Sequence, residues 1–490
     1  MVTSILNFLN GTRPSPRKQP AVVADSGILD TPLLWFGEND PWTIRAATEG
    51  TAIYGSSGSG KTTGSGAAIA KAFLSAGFGG IVLTCKPNER ALWESYCRET
   101  HRSSDLIVFA PTGPWRFNFL DFESRAGVGT GLTENLVRVF TTVMEVAERT
   151  RGQGNAQDFW ERTTKQLLRN CIDLLLIGKG RLLLHEVYDV LVSAPSSPEE
   201  LASEAWQNSS FCMQCIRAAE GSPKTQHQEN DFAMTTKYFL REFPNLSSRT
   251  RSIICTSLTS MLDLFLRGAL RELFCTTTNF VPELTHEGAI VIVDLPIKEF
   301  GEVGRVAQTL LKFIWQRATE RRDTNKHPLP VFMFCDEAHF FSTSYDAIFQ
   351  STARSARVAT VYLSQNIGAY YAEIGESETH MLMGNLQTKI FHANGDTITN
   401  NWAADLFSKS WQFRSSAGTS TSGGPFSPQN VSRNFGTTDS LDHEVLPGTF
   451  TMLRKGSPEH DWCVDGICFQ GGRIWHETGK NHITVGFAQR

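Results

Sequence analysis

The eight residues Gly55-Ser56-Ser57-Gly58-Ser59-Gly60-Lys61-Thr62 constrain the fold more than any other stretch of the chain. Glycines at these spacings let consecutive backbone amides turn inward around an anion, with a lysine and a threonine at the mouth of the ring so formed. Such a loop works between a strand and a helix whose positive end faces the same anion. The flanks agree: short strand-like runs lead in from Trp42, and an alanine-rich helix is expected from Ala67 to Ala76. By average residue frequencies the pattern arises by chance in roughly one or two of a hundred chains of this length, so its place between strand and helix decides for a phosphate loop. Gly55 to Thr62, together with Thr63, are therefore the expected ATP-binding residues. Lys61 would neutralise the β and γ phosphates, and Thr62 would offer its hydroxyl to Mg2+.

Further along, short apolar runs alternate with helical stretches. Gly80 to Leu83 ends in Thr84-Cys85-Lys86-Pro87, and Leu106 to Phe109 ends in Ala110-Pro111. Ala289 to Val293, Val331 to Cys335, Thr360 to Leu363 and Lys389 to His392 continue the series. Continuous apolar strands of this kind suit a mainly parallel sheet covered on both faces, with ligands at the carboxyl ends of the strands. Between about Thr133 and Phe274 the apolar spacing is helical, as in Phe159, Trp160, Leu167, Leu168, Ile172, Leu175 and Leu176. The expected architecture is an α/β, RecA-like P-loop domain over 36–130 and 285–490, interrupted by an all-α insertion over 131–284. Residues 1–35, with Pro14, Pro16, Pro20 and several basic residues, read as a flexible arm. Gly221 to Asn230 reads as a polar loop, Ser415 to Ser440 as a flexible Ser/Thr/Gly loop, and 441–490 as a β-rich closing segment.

A phosphate loop needs acidic partners, and Val331-Phe332-Met333-Phe334-Cys335-Asp336-Glu337 supplies them at the end of an apolar strand. Asp336 is the expected Mg2+ ligand and Glu337 the base that orients and deprotonates the attacking water. Gln365, just past the strand Thr360 to Leu363, suits a γ-phosphate sensor. Arg354 and Arg357 sit three residues apart on an expected helix, hence on one face, where either could serve as an arginine finger. His339, two residues beyond Glu337, reads as a contact to nucleotide or neighbouring subunit, or as a structural histidine at a helix start.

Composition sets outer bounds. At 490 residues the chain exceeds one compact core, and 40% apolar with 20% charged residues is ordinary globular usage. A formal charge of -4 carries no global basic field, so any nucleic-acid contact must be local. Ten scattered cysteines lack the density of a secreted disulfide scaffold, and the single CxxC of Cys212 and Cys215 lacks the second ligand pair of a zinc site. No apolar run approaches the ~18 residues that span a bilayer. A cytoplasmic protein, held at a membrane only through a partner, is the expectation.

Several segments together resemble the HerA/FtsK class of RecA-like motors, and within it the type IV coupling proteins, the TraG/TraD-like ATPases of conjugative DNA transfer. They are Ile53 to Thr62, Cys85-Lys86-Pro87, Phe117-Asn118-Phe119-Leu120-Asp121, Asp158-Phe159-Trp160, Val291 to Pro296, Cys335-Asp336-Glu337, Ala353-Arg354-Ser355-Ala356-Arg357, Ser364-Gln365-Asn366 and Asn385 to Asn394. They run in the family's order from about residue 45 to 410, and the helical stretch falls where coupling proteins carry their all-α domain. The resemblance implies a homo-hexameric ring moving DNA through a central channel, with ATP between subunits and with relaxase or secretion-channel components as partners. Two features depart from the pattern: coupling proteins begin with membrane-spanning helices, and the family's Asn-Pro-Leu reads Asn118-Phe119-Leu120 here. A membrane-anchoring partner would supply the first. In the helical insertion, Lys224 to Asn230, Arg249 and Arg251 are candidates for DNA contact. Two other readings stand beside this one: a HerA-like motor working with a nuclease or effector in DNA processing or phage defence, and a nucleotide-switch NTPase that moves nothing.

Overall fold

The computed structural model describes residues 25–126, 132–149, 157–422 and 430–489. Its strands, in chain order, are β1 Pro32–Gly37, β2 Asp40–Thr43, β3 Thr51–Tyr54, β4 Gly79–Leu83, β5 Leu106–Phe109, β6 Ile290–Val293, β7 Val331–Cys335, β8 Val358–Ser364, β9 Thr388–Phe391, β10 Lys409–Ser422, β11 Asn430–His443, β12 Cys463–Gln470 and β13 His482–Ala488. Nine of them make a mostly parallel sheet, the α/β architecture expected of the apolar runs. The chain divides into two compact units, described here in turn.

The first unit spans residues 73–359. Its strands run in the order β7, β4, β6, β5, all parallel. Every residue of β4, β6 and β7 is buried, which is why Ile290-Val291-Ile292-Val293 and Val331-Phe332-Met333-Phe334-Cys335 show no alternation. On one face the rings of Phe73, Phe78, Trp93, Phe332 and Phe334 pack in sequence at centroid distances of 5.1 to 5.8 Å. Gly80 makes this possible, because a Cβ there would lie 2.4 Å from the Phe332 carbonyl oxygen.

Buried polar groups tie the strand ends to the long helix Ile297–Glu320. Gln308 accepts from the Thr84 amide at 2.7 Å and donates to the Thr84 and Leu295 carbonyls at 2.8 and 2.7 Å. Lys312 is paired with Asp346, both buried; the ammonium also donates to the Phe341 carbonyl at 2.7 Å. Neighbouring Lys312 and the amide of Thr343 hold the Asp346 carboxyl below its ordinary value despite burial, which alone would raise it.

Every described element between Leu132 and Phe274 is helical or a helical turn. The polar stretch expected as a loop over Gly221 to Asn230 is instead mostly helix, Gln226–Lys237. Thr225 caps it: its hydroxyl accepts from the Gln228 amide, and the Gln228 side chain accepts from the Thr225 amide. That Thr-x-x-Gln box is a start signal independent of hydrophobic spacing. Cys212 and Cys215 are buried in the helix Phe211–Gly221, and all ten cysteines are free. Among the described residues no single helix is long and apolar enough to cross a membrane; the pair Ser248–Leu266 and Gly268–Phe274 would qualify together but bends by 79°.

The second unit comprises residues 29–72 and 360–490. Its strands run β13, β12, β9, β3, β8, with β3 parallel to both β8 and β9 and with β12 antiparallel to β9 and β13. The closing segment is β-rich through β12 and β13, which extend this sheet. The Ser415 to Ser440 stretch, expected as a flexible loop, is corrected: over its described residues it is the antiparallel ribbon β10–β11, 14 residues a side, from Lys409↔His443 to Ser422↔Asn430. The ribbon is mostly solvent-exposed, so no apolar period marks it, and Ser and Thr satisfy the pairing through backbone alone. Of the expected flexible arm, residues 1–24 lie outside the described residues; Asp25–Leu29 is a short helix and β1 follows.

Lys312→Met would leave the Asp346 carboxylate buried without its cation, and chemical denaturation should show a loss of about 3–5 kcal/mol. A loss under about 1 kcal/mol would mean that the pair carries no such burden.

Candidate active site

The phosphate loop lies wholly in the second unit. Tyr54, the last residue of β3, is in register with Ser364 on one side and Phe391 on the other. The loop is therefore hung between the carboxyl ends of two neighbours. Gly55 donates to the Ser364 carbonyl at 3.3 Å, and the Ser56 amide and hydroxyl both donate to the Ala393 carbonyl, at 3.0 and 2.9 Å. Gly58 and Gly60 take φ of +74° and +85°, backbone that L side chains rarely adopt. At Gly60 space forbids a side chain as well, since a Cβ would come within 2.5 Å of Val464. Ser57 and Gly58 are exposed at the tip, whereas Ser59 and Lys61 are buried.

Past the loop the chain makes one wide turn before the helix Ala67–Ser75, closed by Gly66 donating to the Lys61 carbonyl at 2.9 Å. Thr62 is half-buried at its start. Thr63 is exposed and its hydroxyl accepts from the Gln489 side chain at 2.6 Å, which commits part of it to the C-terminal strand. A buried chain of bonds fixes this turn from beneath. His392 Nδ1 lies 2.8 Å from the Asp465 carbonyl and its Nε2 lies 2.7 Å from Ser65 Oγ, itself 3.3 Å from the Lys61 carbonyl. A carbonyl only accepts, so Nδ1 carries the proton and Nε2 accepts the single hydroxyl proton of Ser65, which then is not donated to the Lys61 carbonyl. Burial, with Lys61 adding to it, pushes the His392 imidazole down to about 4, and the ring is neutral at physiological pH.

Gln365 follows β8 directly and is exposed, one position beyond the Ser364 that pairs with Tyr54. Its side chain thus stands at the edge where the loop begins, and its carbonyl accepts from Asn394 at 2.9 Å.

The acidic pair lies in the first unit, where β7 ends. Asp336 and Glu337 are both buried. Glu337 takes φ 49° and ψ 47°, left-handed backbone that a non-glycine residue adopts at a cost, and its amide donates to Asp336 Oδ1 at 3.0 Å. The chain then turns at once into Ala338–Phe341. His339 Nδ1 is 3.9 Å from Glu337 Oε2, and its ring packs on Phe340 at 4.2 Å.

Beside the pair stand two residues that sequence reasoning did not assign to the site. β4 pairs with β7, Leu83 opposite Cys335, so the chain leaving β4 passes the acids. Lys86 Nζ lies 3.1 Å from Asp336 Oδ2 and 3.9 Å from Glu337 Oε1. Burial would lower its pKa, but Asp336 outweighs this and raises it. Glu89, at the start of the helix Glu89–Glu99, accepts from the Cys85 amide at 2.7 Å. Burial, then the charge of Asp336, pushes its carboxyl up to about 8. The signal was available: Cys85-Lys86-Pro87 ends an apolar strand, where ligands gather in parallel sheets.

The arginines require a correction. The helix expected to carry Arg354 and Arg357 on one face ends at Thr352, and both lie in the turns that follow. Arg357 takes φ 53°, is buried, and donates to the Pro328 carbonyl at 2.6 Å. Arg354 is exposed. Among the described residues no group of three or more His, Cys, Asp or Glu is placed to hold a metal by itself. This suits magnesium, which takes one or two carboxylates and leaves other positions to water and phosphate. Asp336 offers carboxylate oxygen, the hard donor that magnesium takes, and its Oδ2 lies 3.1 Å from the Lys86 ammonium.

No family model matches the sequence, and no curated protein does. Solved structures do. The chain is similar to the bacterial conjugative coupling protein TrwBdeltaN70 in an unbound form, at 14% identity over 97% of this chain and 96% of that one, with a TM-score of 0.59. It is similar to the plasmid coupling protein TrwB in complex with the non-hydrolysable ATP analogue ADPNP, at 13% identity over 98% and 97%, TM-score 0.60. The same protein in complex with ADP and Mg2+ matches at 13% over 97% and 96%, TM-score 0.61. What such identities share is the fold, here over 97–98% of this chain.

Because His392 has a folded pKa near 4 against an ordinary 6.5, the unfolded chain binds its proton first as pH falls. Stability should therefore drop between pH about 6.5 and about 4, and the drop should be complete below that window. In His392→Gln, urea unfolding across this range should lose up to one proton of pH slope. His286, pushed down to about 3 by burial, keeps its own contribution.

Proposed function

We propose that this protein is an ATPase of the conjugative coupling type, which uses ATP hydrolysis to drive DNA or a DNA–protein substrate toward a type IV secretion channel. One observation carries the reading: the likeness of fold to coupling proteins extends over 97–98% of a chain whose own sequence has a complete phosphate loop and a strand-end acidic pair. A structure of this fold holds ADP and Mg2+.

The amides from Gly55 to Thr62 and the Lys61 ammonium hold the β and γ phosphates. Thr62 and Asp336 hold Mg2+, which neutralises charge developing on the transferred group. Glu337 orients the attacking water and accepts its proton, and Gln365 reads the γ-phosphate from the rim of the loop. Arg354, being exposed, is the arginine that could reach a neighbouring subunit; Arg357 is held inside its own chain. A ring of identical subunits, with DNA as cargo and relaxase, channel and membrane-anchoring components as partners, completes the proposal. Arg249, exposed at the start of the helix Ser248–Leu266, and Lys224 are candidate cargo contacts in the helical region.

Lys61→Ala should abolish nucleotide binding, measured with a fluorescent ATP analogue. Glu337→Gln should bind ATP and Mg2+ like the parent while turnover falls about 100-fold or more; parental turnover would remove Glu337 from the role of base. Wild-type hydrolysis should rise with protein concentration and with single- or double-stranded DNA, and Arg354→Ala should depress it only in the assembled protein. A slow rate indifferent to both would favour a nucleotide switch.

A further inference from the structure

Three carboxyl groups and one ammonium lie where β4 and β7 end, Glu89 being held largely protonated by burial and by Asp336. Glu89, Asp336 and Glu337 are each at least 95% buried, at 5%, 4% and 4% exposure. The Lys86 side chain, by contrast, is 41% exposed while its Nζ sits 3.1 Å from Asp336 Oδ2 and 3.9 Å from Glu337 Oε1. Buried carboxylates close together repel unless a cation stands between them, and removing that cation without replacement is strongly destabilising. Lys86 is that cation here. Its exposure means that it can swing into solvent without opening the core, on a flexible four-carbon stem.

The contact falls on the Asp336 carboxylate that the proposed function gives to a divalent metal, so the inference rests on that reading. Asp336 Oδ1 is occupied by the Glu337 amide. Oδ2 carries the Lys86 ammonium. A divalent ion needs its oxygens at about 2.0–2.1 Å, and a positive charge 3.1 Å away on the same oxygen opposes its arrival.

We propose that Lys86 is a resident counter-ion of the Asp336–Glu337 pair, held there in the nucleotide-free protein and displaced when a divalent cation enters with nucleotide. Lys86 is thus a positioning residue. It keeps the acids paired and ordered between turnovers, and it confines metal binding to the nucleotide-loaded state, where phosphate oxygens help to hold the metal. A merely structural ion pair would stay closed in both states.

Two measurements test this. In the wild-type protein, pulse acylation with acetic anhydride followed by peptide mass spectrometry reads the accessibility of the Lys86 amine. Labelling should rise several-fold with ADP and Mg2+ over the nucleotide-free protein, and should not rise with ADP and EDTA; equal labelling in all three overturns the proposal. Mn2+ titration without nucleotide, followed by electron paramagnetic resonance, gives the second readout. Lys86→Met should bind Mn2+ at least about tenfold more tightly than wild type, the lower end of what one nearby charge does to a carboxylate. Lys86→Arg should stay at the wild-type value. Unchanged or weaker binding in Lys86→Met overturns the proposal, and Lys86→Gln serves if Lys86→Met fails to fold. Fluorescent ADP binding in EDTA and with Mg2+ separates the two ideas. If ADP binds neither in EDTA nor with Mg2+, the nucleotide function sinks while the Mn2+ titration still decides for Lys86; if it binds with Mg2+ and Lys86 does not move, only the counter-ion sinks.

Discussion

The structure depends on strands that are buried on both faces. β3, β4, β6 and β7 have no solvent-facing side, so their side chains are almost all apolar, Thr51 at the start of β3 excepted, and their polar chemistry is pushed to the ends. At the carboxyl ends the next residues are Gly55, Thr84, Asp294 and Asp336. Each is a backbone or side-chain polar group held by its neighbours: Gly55 by Ser364, Thr84 by Gln308, Asp294 by Phe109 and Arg90, Asp336 by Lys86 and Glu337. In each unit the strand ends thus carry donors and acceptors held in place by their neighbours, which is what phosphate chemistry requires of a protein.

Within the phosphate-loop unit, rigidity comes from a second layer. The loop itself is glycine and serine, residues with little packing of their own. Its position is set by Ala393 and Ser364 above and by Val464, Ser65 and His392 around it. The antiparallel strands β12 and β13 therefore do more than finish the sheet. Val464, Asp465 and Phe487 lie against Gly60, His392 and Gly64, so the closing strands hold the end of the loop and the turn that follows it.

In the unit with the acidic pair, charge is the organising problem. Lys312 with Asp346 and Lys86 with Asp336 are two solutions with different outcomes. The first pair is buried on both sides and satisfied by Phe341, Thr343 and Gln316, which makes it a fixed strut. The second joins a buried acid to a lysine that reaches solvent, which leaves it free to open.

Much of this was legible in the sequence because it depends on local patterns. Gly55 to Thr62 encodes a loop whose geometry follows from glycine freedom, and continuous runs such as Val331 to Cys335 announce a buried parallel strand ending in Asp336 and Glu337. Other features depended on distant partners. Ser415 to Ser440 carries no apolar period because both faces of its ribbon are mostly exposed over the described residues, and its order comes from pairing with a strand about twenty residues away. Arg354 and Arg357 look like a helical pair until the chain must turn into β8, which forces Arg357 into left-handed backbone and buries it. Lys86 and Glu89 join the site only because β4 lies beside β7, although nearly 250 residues separate them in the chain. The sequence by itself determined the loop, the strand-end acids and the α/β class, since each is written within a dozen residues. The tertiary structure alone decided which charges face one another, because that depends on strand order, and strand order is settled by packing rather than by any local run of side chains.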